Sequence, residues 1–407
     1  MSTEDRKPST VFREQDRIFV YDLKVRNRVG NIVSEICKAR ERGYSFLRLE
    51  IRDDTAFPNV LAPLAAVLDL FRETGFEIEL SSESQFLGIR DLISTPRFTL
   101  VPAGAKIFSR VWRFDDSSAA NRLSSAVLDQ LSQLVVFSPG VKGSLAWCVY
   151  EVMDNALRHS ETARGYMSVQ YHPTTQHVAI SIADNGIGIF RSLGPKYRPP
   201  DALSAIKMAM DKGVTKDADG IGNGLFGLRK IVTLNGGILA VTSAAGEWKL
   251  QDGTISENPR WPYPDKSRQC TYIDFQIDTQ RPISPSSVMD GFEPVDMNFD
   301  NELNEFGDAV ISVRDWGFGV ATRDAGARLR NYANNLINQG AKRVVFDFAN
   351  VEIVASSFAD ETVGKLAANL GNIEFTRRVV FANANSDVKQ LVGGAVSQRL
   401  TNLSNSN

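Results

Sequence analysis

The sequence predicts an α/β protein in three parts, with two small β-α-β-α-β units at its ends and a longer α/β unit between them. Three observations carry this. Strand-like and helix-like apolar periods alternate from residue 18 to residue 80, the last hundred residues repeat that plan, and 407 residues are too many for one core.

Residues 1–14 read as a polar tail without the apolar run of a signal peptide. An N-terminal unit then covers 15–112. Ile18–Leu23 reads as a strand, and Val29, Ile32, Val33, Ile36 and Cys37 have the spacing of a helix that stops at Gly43. Phe46–Ile51 alternates Phe46, Arg48 and Glu50 against Leu47, Leu49 and Ile51, which predicts a second strand. A helix starts at Pro58, a first-turn proline, and ends at Gly75 after Thr74, and Phe76–Leu80 forms a third strand. That order predicts parallel pairing through crossover helices.

The central unit, 115–280, opens on the helical spacing of Ala119–Val136. Two polar stretches, Gly194–Asp219 and Glu247–Gln269, interrupt it, and residues 281–304 read as a linker. In the C-terminal unit, 305–400, Ala309–Val313, Val344–Phe348 and Val379–Ala382 read as strands. Ala325–Asn338 and Phe358–Leu370 read as helices ending near Gly340 and at Gly371, and residues 401–407 read as a tail. A shift of 297 positions lays Gly43 on Gly340, Leu47 on Val344, Glu50 on Asp347 and Ile51 on Phe348. This predicts an internal duplication, although two independent units of the same geometry would align in a similar way.

The formal net charge of -2 supplies no general attraction to nucleic acid or acidic membranes, so any bound phosphate must be held locally. Cys37, Cys148 and Cys270 lie far apart, with neither metal nor redox spacing, and fit a reducing compartment. The longest apolar stretch, Val60–Phe71, is broken by Pro63 and Asp69 and is too short to span a bilayer. A cytoplasmic protein is expected, with neither membrane nor nucleic acid as a direct partner.

Three segments of the central unit carry chemistry. In Ser144–Ser160, Glu151 and Asn155 are four apart and share one helix face, while Leu145, Val149, Val152 and Ala156 supply the apolar face. An amide oxygen can join the shell of a divalent cation while the neighbouring carboxylate takes a proton, though such a pair taken alone also makes an ordinary solvated face. Next, the strand Ala179–Ala183 runs into Asp184, Gly186 and Gly188, a turn that a flat ring can approach. Asp184 can accept from the exocyclic amino group of adenine, whereas guanine would set a carbonyl against it. An Asx turn closing a hairpin is the plainer alternative. Last, Gly220, Gly222, Gly224 and Gly227 precede the helical spacing of Leu228, Ile231 and Val232, as an anion site at a helix N-terminus does. No lysine of the P-loop type follows, and the glycines do not directly follow a first strand as the dinucleotide fingerprint requires.

Together these segments resemble the GHKL (HATPase_c) ATPase superfamily of DNA gyrase B, Hsp90, MutL, sensor histidine kinases and anti-sigma-factor serine kinases. Glu151–Asn155 is similar to the N box, Asp184–Gly188 to the G1 box and Gly220–Gly227 to the G2 box, with Thr242-Ser243 where the family places a hydroxyl near adenine. The resemblance implies a Bergerat-type α/β sandwich built on a mixed sheet, binding ATP with Mg2+ held through Asn155. Glu151 is then the general base and Thr242 a contact to the nucleotide. Phe190–Asp219 becomes a lid with Lys196, Arg198, Lys212 and Lys216 as phosphate contacts. A protein partner is implied, and a homodimer is in the superfamily's range.

The C-terminal unit resembles a STAS domain, and more closely the STAS-like domains of bacterial proteins that accompany GHKL modules. Ser356 and Ser357 stand where anti-sigma-factor antagonists carry a phosphoacceptor, but Ala355 and Phe358 replace the usual Asp and Gly. Ser357 with Asp360 also reads as a helix N-cap pair. The fold class is thus α/β, a Bergerat-type ATPase between two small STAS-like domains. All three histidines, His159, His172 and His177, lie inside the ATPase unit, so the acceptor hairpin of a histidine kinase is absent from this sequence. Three uses stay open: a switch driven by ATP binding and slow hydrolysis, a serine/threonine kinase of a STAS-like domain, and an ATP sensor that does not turn over.

Overall fold

The computed structural model describes residues 10–98, 106–214, 224–258, 269–284 and 303–404. The chain divides into two compact units. The first takes the described residues of Met1–Leu100, Lys106–Ser124 and Cys148–Asp278, and the second those of Ser125–Trp147 and Thr279–Asn407.

The first unit begins with a hairpin of β1 (Val11–Glu14) and β2 (Arg17–Val20), which continues in parallel through β3 (Phe46–Ile51) and β4 (Glu77–Ser82). Helices α1 (Arg28–Glu41) and α2 (Pro58–Glu73) make the two crossovers. Strand β1 lies inside the stretch expected to be a tail. Its turn gave no signal because Gln15, rather than glycine or asparagine, takes the positive φ of 55°.

Helix α2 is buried on every side: Val60, Leu61, Leu64, Leu68, Leu70 and Phe71 are all at most 1% exposed. A helix apolar all round needs cover all round. One side of α2 meets α1 and β4, and the other meets β6 (Gly165–His172) and β7 (His177–Asp184) of a second sheet. Tyr166 and Ala183 of that sheet share one core with α2. Each such side chain taken from water is worth roughly 1.5–3 kcal/mol.

The second sheet adds β5 (Val111–Phe114), β8 (Ile238–Ser243), β9 (Gly246–Gln251), β10 (Thr254–Asn258) and β11 (Thr271–Asp278), in the order β10-β9-β8-β11-β7-β6-β5. All six neighbouring pairs are antiparallel, where a mixed sheet was expected. Strands β7 and β8 do run the same way, but β11 fills the gap between them in reverse. The polar stretch after residue 247 contains the β9–β10 hairpin, whose Asp252 and Gly253 both take positive φ, as a two-residue turn requires. Helices α6 (Gly188–Tyr197) and α7 (Ala202–Ala209) occupy much of the other polar stretch, with Asp201 capping α7 through the Ser204 N–H at 2.7 Å.

The remaining helices before the last sheet are α3 (Leu87–Asp91), α4 (Ser117–Leu134), α5 (Val141–Arg158) and α8 (Gly224–Asn235). Helices α7 and α8 lie against β8, and the first of them also against β9. Because side chains alternate along a strand, the residues facing α2 and those facing α7 and α8 separate cleanly.

The second unit holds a parallel sheet of β12 (Ala309–Ser312), β13 (Val344–Asp347) and β14 (Val379–Ala382). Helix α9 (Arg323–Gln339) is capped by the Thr322 hydroxyl and ends at Gly340, φ 113°. After β13 come α10 (Ser356–Ala359), a π-helical turn at Asp360–Gly364 and α11 (Lys365–Arg378). Gly371 breaks α11 with a non-helical φ of 75°, but the helix resumes beyond the end expected there. Helix α12 (Ser386–Ser404) runs on into the expected tail. Leu303 pairs antiparallel with Ala309, as β1 pairs with β2.

Helix α9 also holds the turn between α4 and α5. The buried Asn335 side chain donates to Ser132 O at 2.9 Å and Val135 O at 2.7 Å, and it accepts from Phe137 N at 2.8 Å. Asn331 donates to Gln133 O, and Gln339 accepts from Lys142 Nζ at 2.8 Å. Among the described residues, no helix is long and apolar enough to cross a membrane.

Candidate functional site

Helix α5 presents Glu151 and Asn155 one turn apart, both half-buried. Gly224, the first residue of α8, sits against them. A methyl group built on it would lie 2.7 Å from Glu151 Oε2 and 3.4 Å from Asn155 Nδ2, so the bare backbone makes room for that pair. Burial first, and then the neighbouring Asp154, pushes the Glu151 carboxyl above its usual range, while Arg158 opposes the shift. Gly227 is buried along α8. Gly220 and Gly222 of the same loop lie outside the described residues, as does Lys216 of the lid. Lys196, Arg198 and Lys212 are exposed, with the Lys196 ammonium 5.2 Å from the centre of the Tyr197 ring.

Asp184 ends β7 and is buried, accepting from the Gly186 N–H at 2.9 Å. Burial pushes its carboxyl up to about 7, against hydrogen bonds from Gly186 and Thr271 that pull it down. Gly186 is required by the chain itself: a methyl there would lie 2.1 Å from Ser160 O, just past the end of α5. Ile187 N donates to that same oxygen at 3.0 Å, which ties this turn to α5. Gly188 takes φ 75°, and a methyl on it would meet Ser243 Oγ at 2.9 Å.

Thr271 of β11 pairs with Asp184 of β7 on one side and with Ser243 of β8 on the other, so its hydroxyl stands beside Asp184 and that of Ser243 lies one strand further along the same line. Ser243 Oγ accepts from Ile189 N at 2.8 Å, donates to Cys270 O at 3.1 Å, and lies 3.3 Å from Thr271 Oγ1. Thr242, the hydroxyl expected near a nucleotide, is one residue out of phase. It points to the α2 face and accepts from Arg26 Nη2 at 2.5 Å. Thr271 escaped sequence reasoning because only the placement of β11 between β7 and β8 brings it to Asp184.

In the second unit, Ser356 is exposed and Ser357 half-buried at the start of α10. Neither caps the helix: Ala355 holds the N-cap position and no side chain bonds there, in place of the expected cap by Ser357.

Residues 140–258 match the family of histidine kinase-, DNA gyrase B-, and HSP90-like ATPases, and residues 325–389 match the STAS-like domain of unknown function (DUF4325). The chain therefore carries a GHKL ATPase domain of the Bergerat fold together with a STAS-like domain, in a mixed α/β architecture. This is the domain composition of an ATP-binding regulatory protein. No curated protein matches the chain.

The residues present fit an adenine nucleotide. Asp184 is a buried acceptor with the Thr271 hydroxyl beside it, and the glycine at the head of α8 abuts a carboxylate and an amide. If Asp184 is the adenine contact, an amino group would donate to its ionised carboxyl, which burial pushes up to about 7. Nucleotide affinity is accordingly expected to fall as pH drops from 8 to 6, because binding must first displace the proton. Asp184→Asn keeps an acceptor oxygen but has no proton to lose. Titrations of both proteins with ADP should give a steeper pH dependence for the parent, and equal slopes would remove Asp184 from the contact.

Proposed function

We propose that the ATPase domain binds Mg-ATP, with Asp184 accepting from the adenine amino group and the N-terminal end of α8, at Gly224, facing the phosphates. Asn155 is the residue that holds Mg2+, through its amide oxygen, and the ion when bound neutralises phosphate charge. Glu151 takes a proton from water as the water oxygen bonds to the γ-phosphorus. The bond to the β–γ bridging oxygen breaks, leaving ADP and phosphate. The observation that carries this reading is the seating of bare Gly224 against both Glu151 and Asn155.

In this reading ATP binding and slow hydrolysis act as a switch, altering what the STAS-like domain presents to a protein partner by binding one state more tightly than the other. The N-terminal sheet is read as a second STAS-like domain, since it shares three parallel strands, helical crossovers and antiparallel lead-in pairing with the C-terminal one. Exposed Ser356, free of any capping role, favours a second reading in which a protein hydroxyl replaces water and the domain is a serine/threonine kinase.

Incubation with γ-labelled ATP separates the two. Free labelled phosphate with unlabelled protein is the expected result for the switch. Label on the protein that disappears in Ser356→Ala/Ser357→Ala identifies the kinase, and bound but intact nucleotide overturns both.

A further inference from the structure

We propose that Arg26 is a positioning residue for the adenine end of the nucleotide site, acting through β8 from the opposite face of the sheet. The inference rests on the nucleotide reading above. Arg26 lies on the loop between β2 and α1, in the N-terminal part of the first unit. That loop is fixed by Arg28, which donates to Asp22 O at 3.2 Å and Asp22 Oδ2 at 3.0 Å.

From there the guanidinium of Arg26 spans two strands. Its Nη2 donates to Thr242 Oγ1 on β8 at 2.5 Å, and its Nη1 lies 3.3 Å from Glu247 Oε1 on β9. Thr242 and Glu247 are direct cross-strand partners, so one rigid fork pins the register of both strands. Asp274 of β11 lies on the same face, buried, with Arg26 and Lys249 as the cations that pull against its desolvation. Arg26 thereby engages neighbouring strands on the α2 face.

On the other face, the very next residues line the proposed adenine site. Ser243 follows Thr242, and its partner Thr271 precedes Tyr272, which is paired with Thr242. A shift of β8 along its axis would carry the Ser243 hydroxyl away from Ile189 N and Cys270 O, both now within 3.1 Å. The side chains that set adenine contacts thus depend on a guanidinium they never touch.

The test uses the full chain. Arg26→Met keeps the apolar stem and removes the fork, and Thr242→Val removes the acceptor at nearly constant shape. Each is expected to weaken magnesium-free ADP binding about tenfold and to narrow the preference for ATP over GTP. At saturating ATP, kcat should stay within twofold, since Glu151 and Asn155 are on α5. The double variant should be no weaker than the worse single variant. Arg26→Lys, able to satisfy one acceptor at a time, should recover part of the affinity. A merely structural role would lower Tm while leaving the affinity and base preference of folded molecules unchanged, and that result overturns the proposal. If Arg26→Met does not fold, Thr242→Val decides by the same readouts. Absence of ADP binding by the parent protein would instead sink the nucleotide reading itself.

Discussion

Asn155→Ala is expected to abolish Mg-ATP binding, a loss of a hundredfold or more, or about 3 kcal/mol. In the proposed site this amide is the side chain of α5 that reaches the metal, and alanine leaves only phosphate oxygens and water to hold the ion. The loss should be specific. ADP in the presence of a chelator leans on Asp184 and the hydroxyls in line with it, so its affinity should change less than threefold. Calorimetry on parent and variant, with and without magnesium, reads both quantities. An unchanged Mg-ATP isotherm for the variant would take the metal away from Asn155.

Glu151→Ala should do the reverse, retaining Mg-ATP within a few-fold of the parent affinity and losing turnover by on the order of 10²–10⁴. Burial and Asp154 raise the Glu151 carboxyl, so its basic form is depleted at low pH. Parent turnover should therefore climb with pH as this group ionises and then level off, and the variant's residual rate should lack that rise. Phosphate release measured at saturating nucleotide is the readout. Normal turnover in Glu151→Ala would show that another group, or none, accepts the proton.

Local signals made most elements legible, and weak local signals or long-range pairing account for what was missed. Strand β3 could be read because Leu47, Leu49 and Ile51 alternate with polar residues, and α9 because its amphipathic spacing stops near Gly340. Glu151 and Asn155 could be placed on one face by helical spacing alone. Strand β1 was hidden by a turn without glycine, and β10 by its wholly exposed, polar sequence. The error at Thr242 has a different origin. Two adjacent hydroxyls on a strand face opposite ways, and deciding which one faces Asp184 requires the order β8-β11-β7, which no local pattern encodes. The apolar run from Val60 to Phe71 did hold the information that α2 needs two covers. What it could not specify was that the second cover is the back of the ATPase sheet.

The amide of Asn335 bears on how the chain is made. It satisfies backbone groups of Ser132, Val135 and Phe137, which lie between 198 and 203 residues earlier. Closing so long a loop is entropically expensive and slow compared with forming either hairpin. During synthesis the α4–α5 turn leaves the ribosome long before its partner exists, with those polar groups met only by solvent. The turn that leads into the helix bearing Glu151 and Asn155 can therefore gain this anchor only once the first helix of the STAS-like segment has been made.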